Sequence, residues 1–211
     1  MENINIDTWK RKQHFEFFRN VTYPIYKIGI NLDVTELYKF VKENNLSFYY
    51  TMIYCATKTM NQQEDFLYKI RDNGIIKHDY LNPSFTDLAK GSDLFKIVTA
   101  EMKDNLYDFV KSASAKSKNQ KDYFIYQFEG RDDLIYFSCL PWVSFTEIST
   151  EINIDKNDSI PRIVWGKYFE SNNRLLMPFS ISVNHALIDG YQVCKYINEL
   201  QYQLNNLRDI K

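Results

Sequence analysis

Residues 174–205 read RLLMPFSISVNHALIDGYQVCKYINELQYQLN, and this stretch decides the architecture. Leu175, Met177, Phe179, Ile181 and Val183 recur with period two, the pattern of a strand with one apolar face. From about residue 190 the period changes: Val193, Ile197, Leu200 and Leu204 fall on one stripe of a helix. Between the two lies a short turn that carries His185 and Asp189. A strand that runs directly into an amphipathic helix places a helical layer on a sheet.

The same alternation of elements continues outward. Residues 161–170 pair with 174–183 as a long hairpin around Ser171-Asn172-Asn173, and 134–140 (LIYFSCL) form a buried strand ending at Pro141-Trp142. Residues 25–32 alternate as a strand, and Asp33 with Glu36 has capping-box spacing ahead of a helix carrying Leu37, Phe40 and Val41. A buried helix is expected over 50–62, hairpins over 66–80 (turn RDNG) and 84–99 (turn KGSD), and an exposed helix over 104–117 followed by the loop SKNQKD. No repeat or Pro/Gly-rich linker interrupts the chain, so 1–211 is expected to be one domain. The fold class expected is α/β, a two-layer sandwich of a mixed β-sheet covered by helices.

Composition narrows the function. Lys plus Arg (26) balances Asp plus Glu (27), leaving a net charge of -1 and no basic surplus for nucleic acid. Hydrophobic residues at 45% and charged residues at 25% are ordinary for a water-exposed globular chain, but aromatics reach 16% against only 6 Gly. Rings favour strands and flat contact surfaces, which points to a sheet-containing enzyme. Cys55, Cys139 and Cys194 form no CxxC pair, and no basic, apolar signal segment opens the chain, so a cytoplasmic protein is expected. No apolar run approaches a membrane span, so no membrane partner is expected either.

The search for a general base is short, because only three histidines exist. His14 and His78 lie among charged residues and read as solvated. His185 continues the apolar face of its strand, where the neutral imidazole that can accept a proton is favoured. Taken alone, such a histidine reads first as a packed core residue. A solvated N-cap of the last helix is the alternative reading of Asp189. A metal site is disfavoured, because no second His or Cys pair accompanies these two.

His185-Ala186-Leu187-Ile188-Asp189-Gly190 is an HxxxDG sequence and resembles the signature of the coenzyme-A-dependent acyltransferase superfamily. Further segments resemble the chloramphenicol acetyltransferases in order over nearly the whole chain. They are Trp9-Lys10-Arg11, His14-Phe15-Glu16-Phe17-Phe18, Asn82-Pro83-Ser84-Phe85-Thr86, Ser138 to Phe145, Gly166-Lys167-Tyr168 and Leu176-Met177-Pro178.

The resemblance implies an acetyltransferase in which His185 takes a proton from an acceptor hydroxyl, which attacks the thioester of acetyl-CoA directly. Ser138 would donate to the oxyanion, where one donor can be worth about 3 kcal/mol. Asp189 would pair with Arg11 and hold the turn; with no G-x-S-x-G elbow, a Ser138-His185-Asp189 triad is rejected. Trp142, Tyr168, Lys167 and Tyr49 match positions along the coenzyme path. Phe17, Phe18, Tyr26, Thr86 and Phe95 match the acceptor pocket. The resemblance further implies a homotrimer with sites between subunits, acetyl-CoA as co-substrate, and no permanently bound cofactor.

Several positions depart from the family pattern. Asn184 replaces a first histidine, pointing away from the site by strand alternation, and Ser47 stands where a coenzyme-binding lysine is expected. Phe18, Tyr136 and Val164 replace tyrosine, asparagine and threonine in the acceptor pocket, removing polar contacts. Three readings follow: acetylation of chloramphenicol conferring antibiotic resistance, acetylation of another small alcohol on the same fold, or a catalytically silent acyltransferase-like interaction protein.

Overall fold

A computed structural model describes residues 1–72, 74–88, 91–125, 130–151 and 155–209. Ten strands and five α-helices are described: β1 (Glu2–Ile4), α1 (Lys12–Phe18), β2 (Ile25–Asp33), α2 (Thr35–Glu43), α3 (Phe48–Asn61), β3 (Tyr68–Arg71), β4 (Gly74–Lys77), β5 (Asn82–Leu88), β6 (Phe95–Thr99), α4 (Leu106–Asn119), β7 (Leu134–Leu140), β8 (Arg162–Gly166), β9 (Phe169–Ser171), β10 (Arg174–Asn184) and α5 (Gly190–Asn205). The main sheet runs β2-β10-β8-β7-β5-β6, with β9 beside β10. It is mixed, because β7 lies parallel to both β5 and β8 while the other pairs are antiparallel.

Alternation along the central strands separates two faces. Phe85, Ile135, Phe137, Ile163, Trp165, Met177, Phe179 and Ile181 are buried in one core with Met52, Ile53, Phe109, Val193, Tyr196 and Leu200 of the helices. The in-between residues Thr86, Tyr136, Ser138 and Val164 line a cleft, which Phe85, Phe137, Ile163 and Trp165 of the core also border. A period-two strand thus supplies both core and site.

Several expectations are corrected. A separate three-stranded sheet, β1-β4-β3, stands beside the main one and was not anticipated. Residues 66 and 67 belong to a 3-10 turn, not a strand. Asp33 does not occupy the cap position of α2, which falls to Val34, yet its Oδ1 accepts from Thr35 N at 3.0 Å and Thr35 Oγ1 at 2.6 Å. The α4 helix is not exposed all round: Leu106, Phe109, Val110, Ala113 and Ser117 are buried, and the helix runs on to Asn119. The 161–183 hairpin is interrupted, since β8 ends at Gly166 and β9 begins at Phe169. Of the expected turns, Asn73 in RDNG and Ala89 and Lys90 around KGSD lie outside the described residues. His78 is buried, not solvated, and its Nε2 lies 2.8 Å from Asp132 Oδ1. No helix is long and apolar enough to cross a membrane among the described residues.

Candidate active site

The turn after β10 is built by Asn184. Its side-chain Oδ1 accepts from Ala186 N (2.9 Å), and its backbone carbonyl accepts from Leu187 N (3.1 Å) and Ile188 N (3.0 Å). Its Nδ2 donates to the carbonyls of Lys156 and Asp158 at 2.9 Å each, so the buried amide is satisfied. The side chain therefore points away from His185 but dictates the turn that presents it. His185 N donates to Pro24 O at 2.8 Å, one step beyond the β10–β2 ladder, and that bond fixes where the ring starts.

His185 leaves the core face that its strand neighbours share. Its side chain is 33% exposed, so the ring can be reached by a substrate. Phe18, the last residue of α1, lies flat on it with centroids 3.8 Å apart and planes 12° apart. Tyr26 of β2 flanks it at 4.7 Å. Two rings therefore restrict rotation of the imidazole and shield one face. Nδ1 lies 3.2 Å from Asp189 Oδ1 but without hydrogen-bond alignment, so the carboxylate is a neighbour and not an aligned acceptor.

Asp189 is committed elsewhere. Its two oxygens accept from Arg11 Nη1 (2.7 Å) and Nη2 (3.1 Å), a two-pronged ion pair across 178 residues of chain. The Arg11 side chain is only 7% exposed, and its guanidinium holds the Asp189 carboxyl below the ordinary carboxylate value. Asp189 also opens α5, its N–H donating to Gln192 Oε1 at 3.1 Å. The ion-pair and N-cap readings are therefore both realised in one residue. Tyr26 Oη is buried without a partner, and burial with the nearby Asp189 and Cys194 pushes its phenol up to about 12.

Ser138 belongs to a different place. It lines a cleft of about 1550 Å³ together with Thr86, Phe95, Tyr136, Val164, Tyr49, Trp142, Lys167 and Tyr168. His185, Phe17, Phe18 and Tyr26 are not among its lining residues. The structure thus divides the expected acceptor residues into two groups within one chain. Phe17 is 69% exposed and packs edge-on against Phe18, beside His185 and not in the cleft.

Around Ser138 the donors are ordered. Thr86 Oγ1 lies 3.4 Å from Ser138 Oγ, and Tyr49 Oη donates to the Thr86 carbonyl. Burial holds the Tyr49 phenol well above its ordinary value, so it acts as a neutral donor. Val164 sits opposite Ser138 in the β7–β8 register. The adjacent Cys139 thiol is pushed up to about 12 by burial, which removes it as a thiolate nucleophile.

The mouth depends on Gly166. A Cβ there would meet Val143 O at 2.7 Å and the Phe145 ring at 3.0 Å, so only glycine lets residues 142–145 close on β8. Lys167 N then donates to Val143 O at 2.7 Å, and Ser144 Oγ to Lys167 O at 2.6 Å. Trp142 is left 64% exposed at the rim, and Tyr168 is wedged between Tyr38 and Phe48. Sequence reasoning missed Asp87, Ile97, Arg162 and Trp165 as cleft residues. They come from three strands, β5, β6 and β8, and no local motif joins them. No group of three His, Cys, Asp or Glu able to hold a metal occurs among the described residues.

Residues 1–201 match the family model described as chloramphenicol acetyltransferase. The chain belongs to the chloramphenicol acetyltransferase family. It is 31% identical over 206 residues to a chloramphenicol acetyltransferase of Clostridium perfringens, covering 96% of this chain and 94% of that one. It is 30% identical over 199 residues to one of Escherichia coli, covering 94% and 91%. A solved chloramphenicol acetyltransferase superposes with a TM-score of 0.90 at 22% identity, covering 97% of this chain and 100% of that one. A dihydrolipoamide acetyltransferase of Azotobacter vinelandii follows the same fold with a TM-score of 0.68 at 16% identity, covering 94% and 88%. The resemblance, the mixed-sheet α/β class and the acyltransferase assignment read from the sequence all hold, and family membership implies an acyl-coenzyme A as a substrate.

Proposed function

We propose that the protein transfers the acetyl group of acetyl-CoA to a hydroxyl of chloramphenicol. His185 accepts the hydroxyl proton, and the oxygen attacks the thioester carbonyl carbon. Ser138 donates its hydroxyl hydrogen bond to the resulting oxyanion. The tetrahedral intermediate collapses, the C–S bond breaks, and the imidazolium returns the proton to the departing CoA sulfur. Esterification removes a donor from the drug and adds bulk, which supports a role in antibiotic resistance. The observation that carries this reading is the Arg11–Asp189 pair under an accessible, ring-clamped His185 in a chain matched to the family over 1–201.

The acceptor and coenzyme are proposed to bind in the Ser138 cleft, with Thr86, Phe95, Tyr136 and Val164 towards the acceptor and Tyr49, Trp142, Lys167 and Tyr168 towards acetyl-CoA. Phe17, Phe18 and Tyr26 would close the acceptor pocket from the His185 side. Because His185 does not line the cleft of its own chain, the proposal includes a homotrimer in which His185 of one copy faces Ser138 of the next. A closed ring of heterologous contacts joins two different faces in this way. Further parts of the proposal are a single acyltransferase domain over 1–211, a cytoplasmic site of action, and catalysis with no resident metal or cofactor.

A second reading, a different small alcohol as acceptor, is favoured by Phe18, Tyr136 and Val164, which offer the drug fewer polar contacts. Release of CoA measured with and without chloramphenicol separates the readings. Drug-dependent release supports the first, release only with other alcohols supports the second, and no release with any alcohol overturns both.

A further inference from the structure

The Ser138 cleft is poorly charged for an anionic coenzyme. Its described lining holds two cations, Arg162 and Lys167, against three carboxylates, Asp87, Asp93 and Glu151. Arg162 is already tied to Asp158 at 2.6 Å and to the Ile160 carbonyl at 3.2 Å. A phosphate monoester brings about two negative charges near neutral pH. Lys167 alone is a weak counterpart for it.

A second cavity of about 540 Å³ opens beside the first, and Ser47 lines both. Its other walls are Asn45 and one face of α4: Val110, Lys111, Ser114, Ala115, Lys118 and Asn119. Lys111, Ser114, Ala115 and Lys118 have the i, i+3, i+4, i+7 spacing of a single helical stripe, so both ammonium groups border the same hollow. Neither lysine has an ion-pair or hydrogen-bond partner among the described residues, and no carboxylate is among the described lining residues. Ser47, Ser114, Asn45 and Asn119 add neutral hydrogen-bonding groups. Ser47, whose Oγ accepts from Tyr50 N at 3.4 Å at the start of α3, is the residue common to both linings.

We propose that this second cavity binds the phosphorylated adenosine end of coenzyme A, with Lys111 and Lys118 as its phosphate-binding residues. The inference rests on the reading of the main cleft as the coenzyme path and moves the charge recognition from the cleft to α4. Exposed ammonium groups act here as screened point charges, so the contact weakens with ionic strength.

The test uses the double variant Lys111→Gln/Lys118→Gln in the full-length protein, with Lys103→Gln/Lys121→Gln, which removes the same two charges outside the cavity lining, as the control. Both lysines are exposed on α4, so thermal melts should match the wild type. The double variant should raise KM for acetyl-CoA by about tenfold or more with kcat within about twofold. Lys111→Arg/Lys118→Arg should restore KM, and the control should leave it unchanged. Acetyl-CoA lacking the 3′-phosphate should show one KM with wild type and double variant alike. Adenosine 3′,5′-bisphosphate should compete with acetyl-CoA in the wild type and lose that effect in the variant. An unchanged KM for acetyl-CoA, or an equal rise for the dephosphorylated substrate, overturns the proposal. Calorimetry of CoA binding without any acceptor keeps the two readings apart. Lysine-dependent binding without drug turnover overturns only chloramphenicol as acceptor, whereas turnover with lysine-independent binding overturns only the α4 site.

Discussion

Phe18 lies flat against His185, with 3.8 Å between ring centroids and 12° between planes. An imidazole that must take a proton along one direction gains from a wall that stops it turning, because misplacement of about 1 Å can cost two orders of magnitude in rate. The contact joins the end of α1 to the turn after β10, so it depends on both being correctly packed.

Two substitutions at this contact should differ in kind. His185→Ala removes the proton acceptor and should lower kcat by about two to four orders of magnitude with acetyl-CoA binding nearly unchanged. Phe18→Ala leaves the acceptor but frees the ring, and a smaller fall in kcat, about tenfold, is expected. Steady-state kinetics with both substrates check this; substantial activity in His185→Ala would refute the base assignment.

Asp189→Asn should act first on stability. It leaves the buried Arg11 guanidinium without its counter-charge, a change that typically costs about 3–5 kcal/mol. Melting temperature and activity are expected to drop together. The lowered carboxyl value of Asp189 means that this stabilisation is complete above its ordinary 3.8 and is lost as pH falls below it. A variant that melts normally yet is inactive would assign Asp189 a direct chemical part.

Subunit mixing tests the shared site. His185→Ala keeps the Ser138 cleft intact, and Phe95→Arg, placed in the cleft lining, blocks it while keeping His185. Each homomer should be inactive, and reassorted hybrids should regain part of the activity, because some sites then pair a sound His185 with an open cleft. A monomer by light scattering, or no recovery after demonstrated exchange, excludes the arrangement.

Lys69 should give the fold a measurable pH signature. It is fully buried, with Nζ donating to Phe66 O (2.8 Å) and Tyr68 O (3.4 Å), and desolvation lowers its value from 10.5 to about 7. Between these values the unfolded chain binds more protons, so stability should climb as pH rises from about 7 towards 10. Denaturant midpoints across that range check the slope, and Lys69→Met should remove much of it.

Much of the fold was legible because its strands and helices carry their own periodicity. The alternation over 174–184 and the stripe Val193, Leu200, Leu204 needed no tertiary information. Residue contacts were less legible. His78 sits between Lys77 and Asp79 and reads as solvated, yet pairing of β3 with β4 brings it under Asp132. The β3–β4 hairpin was legible over 66–80, but the sheet it forms with β1 was not, because β1 is three residues long, too short for a period to show.

By itself the sequence determined the order of elements, the HxxxDG turn between the last strand and the last helix, and the family to which the chain belongs. Each of these is a matter of local spacing or of matched segments, and neighbours along the chain carry that information. The tertiary structure alone decided that Ser138 and His185 stand in different places of one chain, and that Asp189 serves Arg11 and the start of α5 at once. It alone set Lys111 and Lys118 beside a hollow that meets the main cleft at Ser47. Such relations join residues tens to hundreds of positions apart, and they are selected by the burial and charge pairing of the whole packed chain rather than by the propensity of any segment.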